Sequence, residues 1–253
     1  MDNDLFEDRF KDYPAIGGVM ASKMVTVDKH PVSFIYREQS INKQDSGWRV
    51  FSGLENQEYA DNPDNFAFYN PTSIFKIDDS IAKLLLNPVG SVYEREGLNG
   101  NWFEVDDFDF EEEIIIHKLD DNWTISISDL FWREMEDEDT HAFGMKDKTI
   151  RIMISEFKGK NQDEILEEAM IFRADRDKND TPIIKEYNLD CDSIIRVGYL
   201  VNESDETKTY NVLYSHSIVD GETAFAAIYF NKDSDEEWAI ETWKSISYKH
   251  SII

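Results

Sequence analysis

The chain has 253 residues, 41% of them hydrophobic and 13% aromatic, enough to build packed cores and an argument against disorder. Its 53 acidic residues against 26 basic ones leave a formal charge of -27, a field that repels nucleic acid and anionic membranes and attracts cationic partners. The single cysteine, Cys191, excludes an internal disulfide, and its place between two aspartates suits an incidental thiol rather than a nucleophile. The acid excess is uneven, with 17 acids and 10 bases up to Val105 and 36 against 16 beyond it.

The opening MDNDLFEDRFKDYP is acidic and has no apolar h-region, and no run approaches the roughly 20 apolar residues of a membrane span. The expected compartment is the cytoplasm. Asp4 to Asp12 predicts a short helix stopped before Pro14, and the paired glycines of IGGVMAS predict a turn or a close backbone approach. VSFIYRE (Val32 to Glu38), GWRVFSG (Gly47 to Gly53) and NFAFYN are strand-like. Between Pro71 and Pro88, Ile74, Ile77, Ile81, Leu84 and Leu85 recur at helical spacing. GSVYEREGLNGNWFEV predicts a hairpin turning at Asn99-Gly100. DDFDFEEE (Asp106 to Glu113) follows as an extended acidic linker or an edge strand with Phe108 and Phe110 turned inward.

In the second half NWTISIS is a strand, and LFWREMEDEDTHAFGMKD reads as a polar loop. KTIRIMISEF alternates with Ile150, Ile152 and Ile154 on one face. NQDEILEEAMIFRADR is a helix with Asn161 and Glu164 as a capping box and Ile165, Ala169 and Phe172 on a common face. Strands follow at PIIKEYN, SIIRVGYLVN, KTYNVLYSHSI and TAFAAIYFN. A last helix opens at SDEEW, with Ser234 and Glu237 as a second capping box and Ala239, Trp243 and Ile246 facing inward. The fold class expected is α+β, with two small domains of antiparallel sheet flanked by helices, at residues 1–105 and 114–253.

Templates for chemistry fail. HExxH, CxxC and a calcium loop are missing, and Pro63 spoils the oxygen-rich DNPDN for calcium. Ser46 sits in DSGW rather than in a nucleophile elbow, and IGGV and GLNG lack the context of a phosphate cradle. The five histidines, at positions 30, 117, 141, 216 and 250, are scattered; His216 on an alternating strand suits a structural role. Neither a catalytic residue, a metal site nor a cofactor is assigned.

One polar stretch, QDSGWRVFSGLENQEYADNPDNFAFYN, gathers Asp45, Trp48, Arg49, Glu58, Asp61 and Asp64 between strands. Together with GGVMASKMVTVDKHPVSFIYRE and NPVGSVYERE, it resembles the bacterial immunity-protein-thirty-three-like domain, over about Gly17 to Val105. Tyr36-Arg37-Glu38, Asp45 to Arg49, Glu58-Tyr59 and Asn62 to Asn65 sit where that family's pattern places them, while GLENQEY departs from a more acidic turn. The resemblance implies a non-enzymatic protein of a polymorphic-toxin system that binds and silences a cognate toxin. The second half is similar in strand and helix order to Mog1/PsbP-like domains, which speaks to fold alone.

Two readings of the loop stand side by side. In one, Trp48 packs into a core, Arg49 pairs with Glu38 or Glu58, and DNPDN caps a turn. In the other, Asp45, Glu58, Asp61 and Asp64 form an acidic rim beside aromatic anchors, suited to a basic toxin domain. A regulatory or scaffold module with an unknown client is the alternative function. An enzyme is the third, and it requires polar groups converging in a deep pocket.

Overall fold

The computed structural model describes residues 9–97, 100–137, 139–175, 181–189 and 193–249. Most of the expected N-terminal helix, Asn99 of the hairpin turn, Cys191 and His250 lie outside the described residues. The chain divides into two units, Met1–Glu111 and Glu112–Ile253. Among the described residues no helix is long and apolar enough to cross a membrane.

The first unit is a six-stranded sheet of β1 (Gly18–Ser22), β2 (Phe34–Arg37), β3 (Asp45–Phe51), β4 (Phe66–Tyr69), β5 (Val92–Glu94) and β6 (Phe103–Glu104), in the order β4-β1-β3-β2-β5-β6. Three short helices, α1 (Lys23–Thr26), α2 (Gln57–Ala60) and α3 (Pro71–Phe75), connect them. The paired glycines at the start of β1 make a close approach: Gly18 N–H donates to the Gln44 carbonyl at 2.6 Å, and β1 then runs parallel to β3. Because side chains alternate across a strand, one sheet face carries Val19, Ala21, Ile35, Trp48 and Val50, all fully buried. They pack on Ile74, Phe75, Ile81 and Leu85.

Those last residues do not share the single helix expected between Pro71 and Pro88. The helix ends at Phe75, and 3₁₀ turns follow at Asp79–Ile81 and Leu84–Leu86. Asp78 is the reason: its carboxylate accepts from the Ser80 N–H and hydroxyl and pairs with Arg95, which holds its backbone extended. The apolar stripe reaches the core all the same. The acidic stretch after β6 is neither a free linker nor a strand, because Phe108 and Phe110 pack on Tyr36 with ring centroids 5.1 and 6.0 Å away.

The second unit adds β7 (Ile114–Lys118), β8 (Trp123–Ser128), β9 (Trp132–Met135), β10 (Thr140–Met145), β11 (Lys148–Glu156), α4 (Gln162–Asp175), β12 (Ile183–Asn188), β13 (Ile195–Ser204), β14 (Thr209–Val219), β15 (Glu222–Phe230), α5 (Glu236–Lys244) and β16 (Ser247–Tyr248). Seven strands form an antiparallel sheet ordered β12-β13-β14-β15-β11-β10-β9, and β16-β8-β7 form a second one. The core joins Trp123, Phe143, Ile150, Ile152, Leu213, Ala226 and Ile228 to Ala239, Trp243 and Ile246 at the C-terminal end. On the opposite face of β14, Ile218 meets Ile165 and Ala169 of α4.

Local signals held unevenly in this unit. The Asn161–Glu164 box forms in both directions, at 2.9 and 3.0 Å. Phe172 of the same helix is 61% exposed and touches Phe225 only edge-on. The Ser234–Glu237 box does not form: α5 starts one residue after Asp235 without a side-chain cap, following a 3₁₀ turn at Asp233–Asp235. The expected polar loop from Leu130 to Asp147 is instead the β9–β10 hairpin, because Ala142 and Phe143 insert into the core and β10 pairs with β11. Its acidic turn is closed by the Asp137 carboxylate, which accepts from the N–H groups of Asp139 and Thr140.

Candidate partner-binding site

The connection from β2 to β3 builds a densely hydrogen-bonded polar group. Asp45 opens β3, and its carboxylate accepts from the N–H of Ile41 at 3.1 Å and of Gly47 at 2.8 Å. Gly47 sits at φ 80°, and a Cβ there would overlap the Glu38 carbonyl oxygen, so glycine alone fits. Two residues on, Arg49 projects to the same side as Asp45. Its Nη1 and Nη2 donate to Oδ1 and Oδ2 of Asp45 at 3.0 and 2.9 Å, its Nε to Oε1 of Glu38 at 2.6 Å, and Nη1 also to the Trp48 carbonyl at 3.2 Å. The fork-to-fork pair is withdrawn from solvent, with side-chain exposures of 4% for Arg49 and 0% for Asp45, whereas Glu38 keeps 35%.

The titration behaviour follows. Burial pushes the Asp45 carboxyl up, but hydrogen bonds from Arg49, Gly47 and Ile41 outweigh it and hold it below the usual carboxylate value. Burial likewise disfavours the Arg49 cation, and Asp45 and Glu38 more than restore it. The neighbouring Tyr36 phenol is pushed up to about 12 by burial first and then by the charges of Glu38 and Glu111, with Arg49 opposing.

Beside this triad opens a cleft of ≈ 620 Å³ on the sheet face opposite the core. Met20, Tyr36, Arg49 and Phe51 belong to its strands β1, β2 and β3, and Phe66 and Phe68 to β4. Glu38, Asp61 and Glu111 bring three carboxylates to the lining. The loop bearing Asp61 is held by a succession of caps. Asn56 accepts from the Tyr59 N–H at 2.9 Å, Gln57 donates to Asp61 at 2.7 Å, Asn62 accepts from the Asp64 N–H at 3.0 Å, and Asn65 donates to the Tyr59 carbonyl at 2.9 Å.

Of the six residues singled out from the sequence, Arg49 and Asp61 line the cleft and Asp45 stands behind Arg49. Asp45 is therefore no part of an exposed rim; the bidentate pairing takes it out of water. Trp48 lies on the other sheet face, fully buried, with Nε1 donating to the Leu85 carbonyl at 2.9 Å. Glu58 and Asp64 are exposed on the capped loop and do not line the cleft. Arg49 pairs with Glu38, not Glu58. The aromatic residues Tyr36, Phe51, Phe66 and Phe68 and the acid Glu111 were not anticipated as site residues. The i, i+2 pairs Tyr36/Glu38, Arg49/Phe51 and Phe66/Phe68 carried the signal, since each pair shares a face.

Elsewhere, among the described residues, no group of three or more His, Cys, Asp or Glu is placed to hold a metal ion. His216 on β14 packs at 4.8 Å from the Phe225 ring, and its buried Nδ1 has no hydrogen-bond partner among the described residues.

Taken together, the chain is an α+β protein whose first unit pairs a buried ionic triad with an acid-lined aromatic cleft. Residues 19–106 match the family model described as the immunity protein Imm33 domain, a stretch that contains the whole of β2 to β6 and the cleft except Glu111. The match supports an immunity-protein role in general terms. No curated protein matches the chain.

Among solved structures, the chain is similar to cyanobacterial PsbP (CyanoP) from Synechocystis sp. PCC 6803, with 13% identity and a TM-score of 0.42 over 60% of this chain and 100% of that one. It is also similar to the Saccharomyces cerevisiae Ran-binding protein Mog1p, with 9% identity and a TM-score of 0.36 over 54% and 95%. A Bacteroides thetaiotaomicron crystal structure matches with 10% identity and a TM-score of 0.38 over 51% of this chain, which spans 46% of that one. These likenesses bear on no activity.

Proposed function

We propose that this chain is a non-enzymatic immunity protein that binds and neutralises a cognate, basic protein toxin of a polymorphic-toxin system in the cytoplasm. Residues 1–105 form the immunity-protein-like domain and residues 114–253 a second α+β domain. The observation that carries the reading is the family match over residues 19–106, which falls on the unit bearing the acid-lined cleft. Glu58, Asp61 and Asp64 are the contact residues on a rigid, capped loop, and a rigid loop presents a surface at low entropic cost. Asp45, Trp48 and Arg49 act beneath them by fixing the strands that carry the loop and the cleft. The formal charge of -27 favours encounter with a cationic partner and disfavours nucleic acid.

The experiment is co-expression with the product of a neighbouring toxin gene. Cells that die with the toxin alone and survive when this chain is supplied support the reading, with the two proteins co-purifying in a salt-sensitive complex. Cells that survive the toxin without this chain, or die despite it, overturn it.

A further inference from the structure

We infer that the cleft of the first unit receives an arginine side chain of the partner protein, stacked against Tyr36, Phe51 and Phe66 and paired with Glu38 and Glu111. This rests on the reading that the first unit is the partner-binding unit.

Charge decides the sign of the occupant. Among the described residues Arg49 is the cleft's sole basic lining residue, and it is already engaged: four N–H bonds go to Asp45, Glu38 and the Trp48 carbonyl. Asp45 alone cancels its charge, so the bond to Glu38 leaves the triad with an excess of one negative charge. Asp61 and Glu111 add two more in the same lining. Oε2 of Glu38 has no hydrogen-bond partner among the described residues, and the Glu38 side chain is 35% exposed, so a second donor can reach it. An anion would meet a net charge of three negatives from the lining and Asp45, although Glu38 holds one bond from Arg49 and Asp61 one from Gln57, and an apolar side chain would strip the carboxylates of water without returning a hydrogen bond.

The aromatic geometry decides its shape. Tyr36 and Phe51 lie nearly parallel, with ring centroids 5.8 Å apart and 14° between planes, and Phe66 stands at 66° to Phe51 at 5.5 Å. Ring faces attract cations, and a planar guanidinium stacks on them while its edge donates two parallel bonds to a carboxylate. A compact ammonium uses the charge but not the flat faces.

The test uses the full-length chain with labelled methionine and isoleucine methyl groups, so that Met20 and Ile41, both lining the cleft, report by NMR. The probes are acetyl-Gly-Arg-Gly-amide, the same peptide with neutral citrulline, and the same peptide with lysine. Saturable shifts of the Met20 and Ile41 methyls with the arginine peptide are expected, with affinity at least about tenfold weaker for citrulline. Glu38→Gln and Glu111→Gln, which keep size and polarity, should each weaken it by about threefold or more, whereas the exposed Asp28→Asn should not. Equal shifts from citrulline, or methyls unmoved by the arginine peptide, overturn the inference. So does full toxin neutralisation by the Glu38→Gln, Glu111→Gln double variant, which leaves the immunity reading intact. Arginine binding without any protection of toxin-expressing cells overturns that reading instead and leaves the cleft chemistry standing.

Discussion

Asp45→Asn removes one charge from the ion pair whose side chains are the least exposed among the described residues of the first unit, while keeping shape, so its cost measures what the triad contributes. The amide offers one acceptor oxygen where the carboxylate has two. Whichever orientation it takes, its NH₂ faces one backbone N–H, from Ile41 or Gly47, and one Arg49 N–H. Losing a charge-assisted bond costs about 1.5–3 kcal/mol and leaving a buried donor unsatisfied about 1–3 kcal/mol. The sum, about 2.5–6 kcal/mol, brackets the cost of about 3–5 kcal/mol for removing one partner from a buried pair. Glu38→Gln should cost about 1 kcal/mol or less, because that carboxylate is 35% exposed and water screens it. The double replacement Asp45→Asn, Arg49→Met removes the stranded charge and should recover most of the loss. Denaturant titration read by hydrogen-exchange mass spectrometry of β2 and β3 peptides separates the first unit's transition from the second's. The penalty should also be pH-dependent. The folded Asp45 carboxyl titrates below its ordinary value, so its contribution is complete above that value and is lost as pH falls through the folded one. An Asp45→Asn variant no worse than Glu38→Gln, or a double variant no better than the single one, would refute the claim that the pair is dry and mutually dependent.

Three further outcomes are expected. Gly47→Ala forces a Cβ onto the Glu38 carbonyl at a left-handed φ, so the first unit should lose more than about 2 kcal/mol, read as a lower unfolding midpoint. In the second unit, burial holds the His216 pKa down at about 4 against an ordinary 6.5. Between those pH values the unfolded chain binds a proton that the folded one refuses, so stability falls as pH drops, by up to about 3 kcal/mol. His216→Leu should abolish that part of the slope in thermal melts between pH 7 and 4, and an unchanged slope would contradict the assignment. Raising ionic strength to about 1 M shortens the screening length to about 3 Å and should slow association with the toxin by about tenfold or more, measured by stopped flow. A rate indifferent to salt would remove electrostatic steering from the mechanism.

Local chemistry was legible in the sequence. Alternation located β2, β3, β4 and β11, with Ile150 and Ile152 fully buried as expected. The Asn161–Glu164 box was readable because both partners lie within one helical turn, and Trp48 and Trp243 reached cores because large apolar surfaces have nowhere else to go. Where local signals failed, a distant contact had outbid them. Asp78 broke the helix it was expected to join by pairing with Arg95, 17 residues on, and burial of Ala142 and Phe143 turned a polar loop into a hairpin.

By itself the sequence determined the α+β class, the position of the polar stretch and the acidic character of the molecule, since these depend on residue types and short spacings. Which polar residues are buried and which exposed was decided only by tertiary structure. Asp45 and Asp61 are the same amino acid in the same stretch, yet one is locked under Arg49 and the other faces the cleft, because the folded β2–β3 connection brings Arg49 and the N–H groups of Ile41 and Gly47 onto the first. The cleft likewise exists only once β4 crosses to lie beside β1 and Glu111 returns toward Tyr36, contacts that span more than 40 residues of chain and that no local spacing encodes.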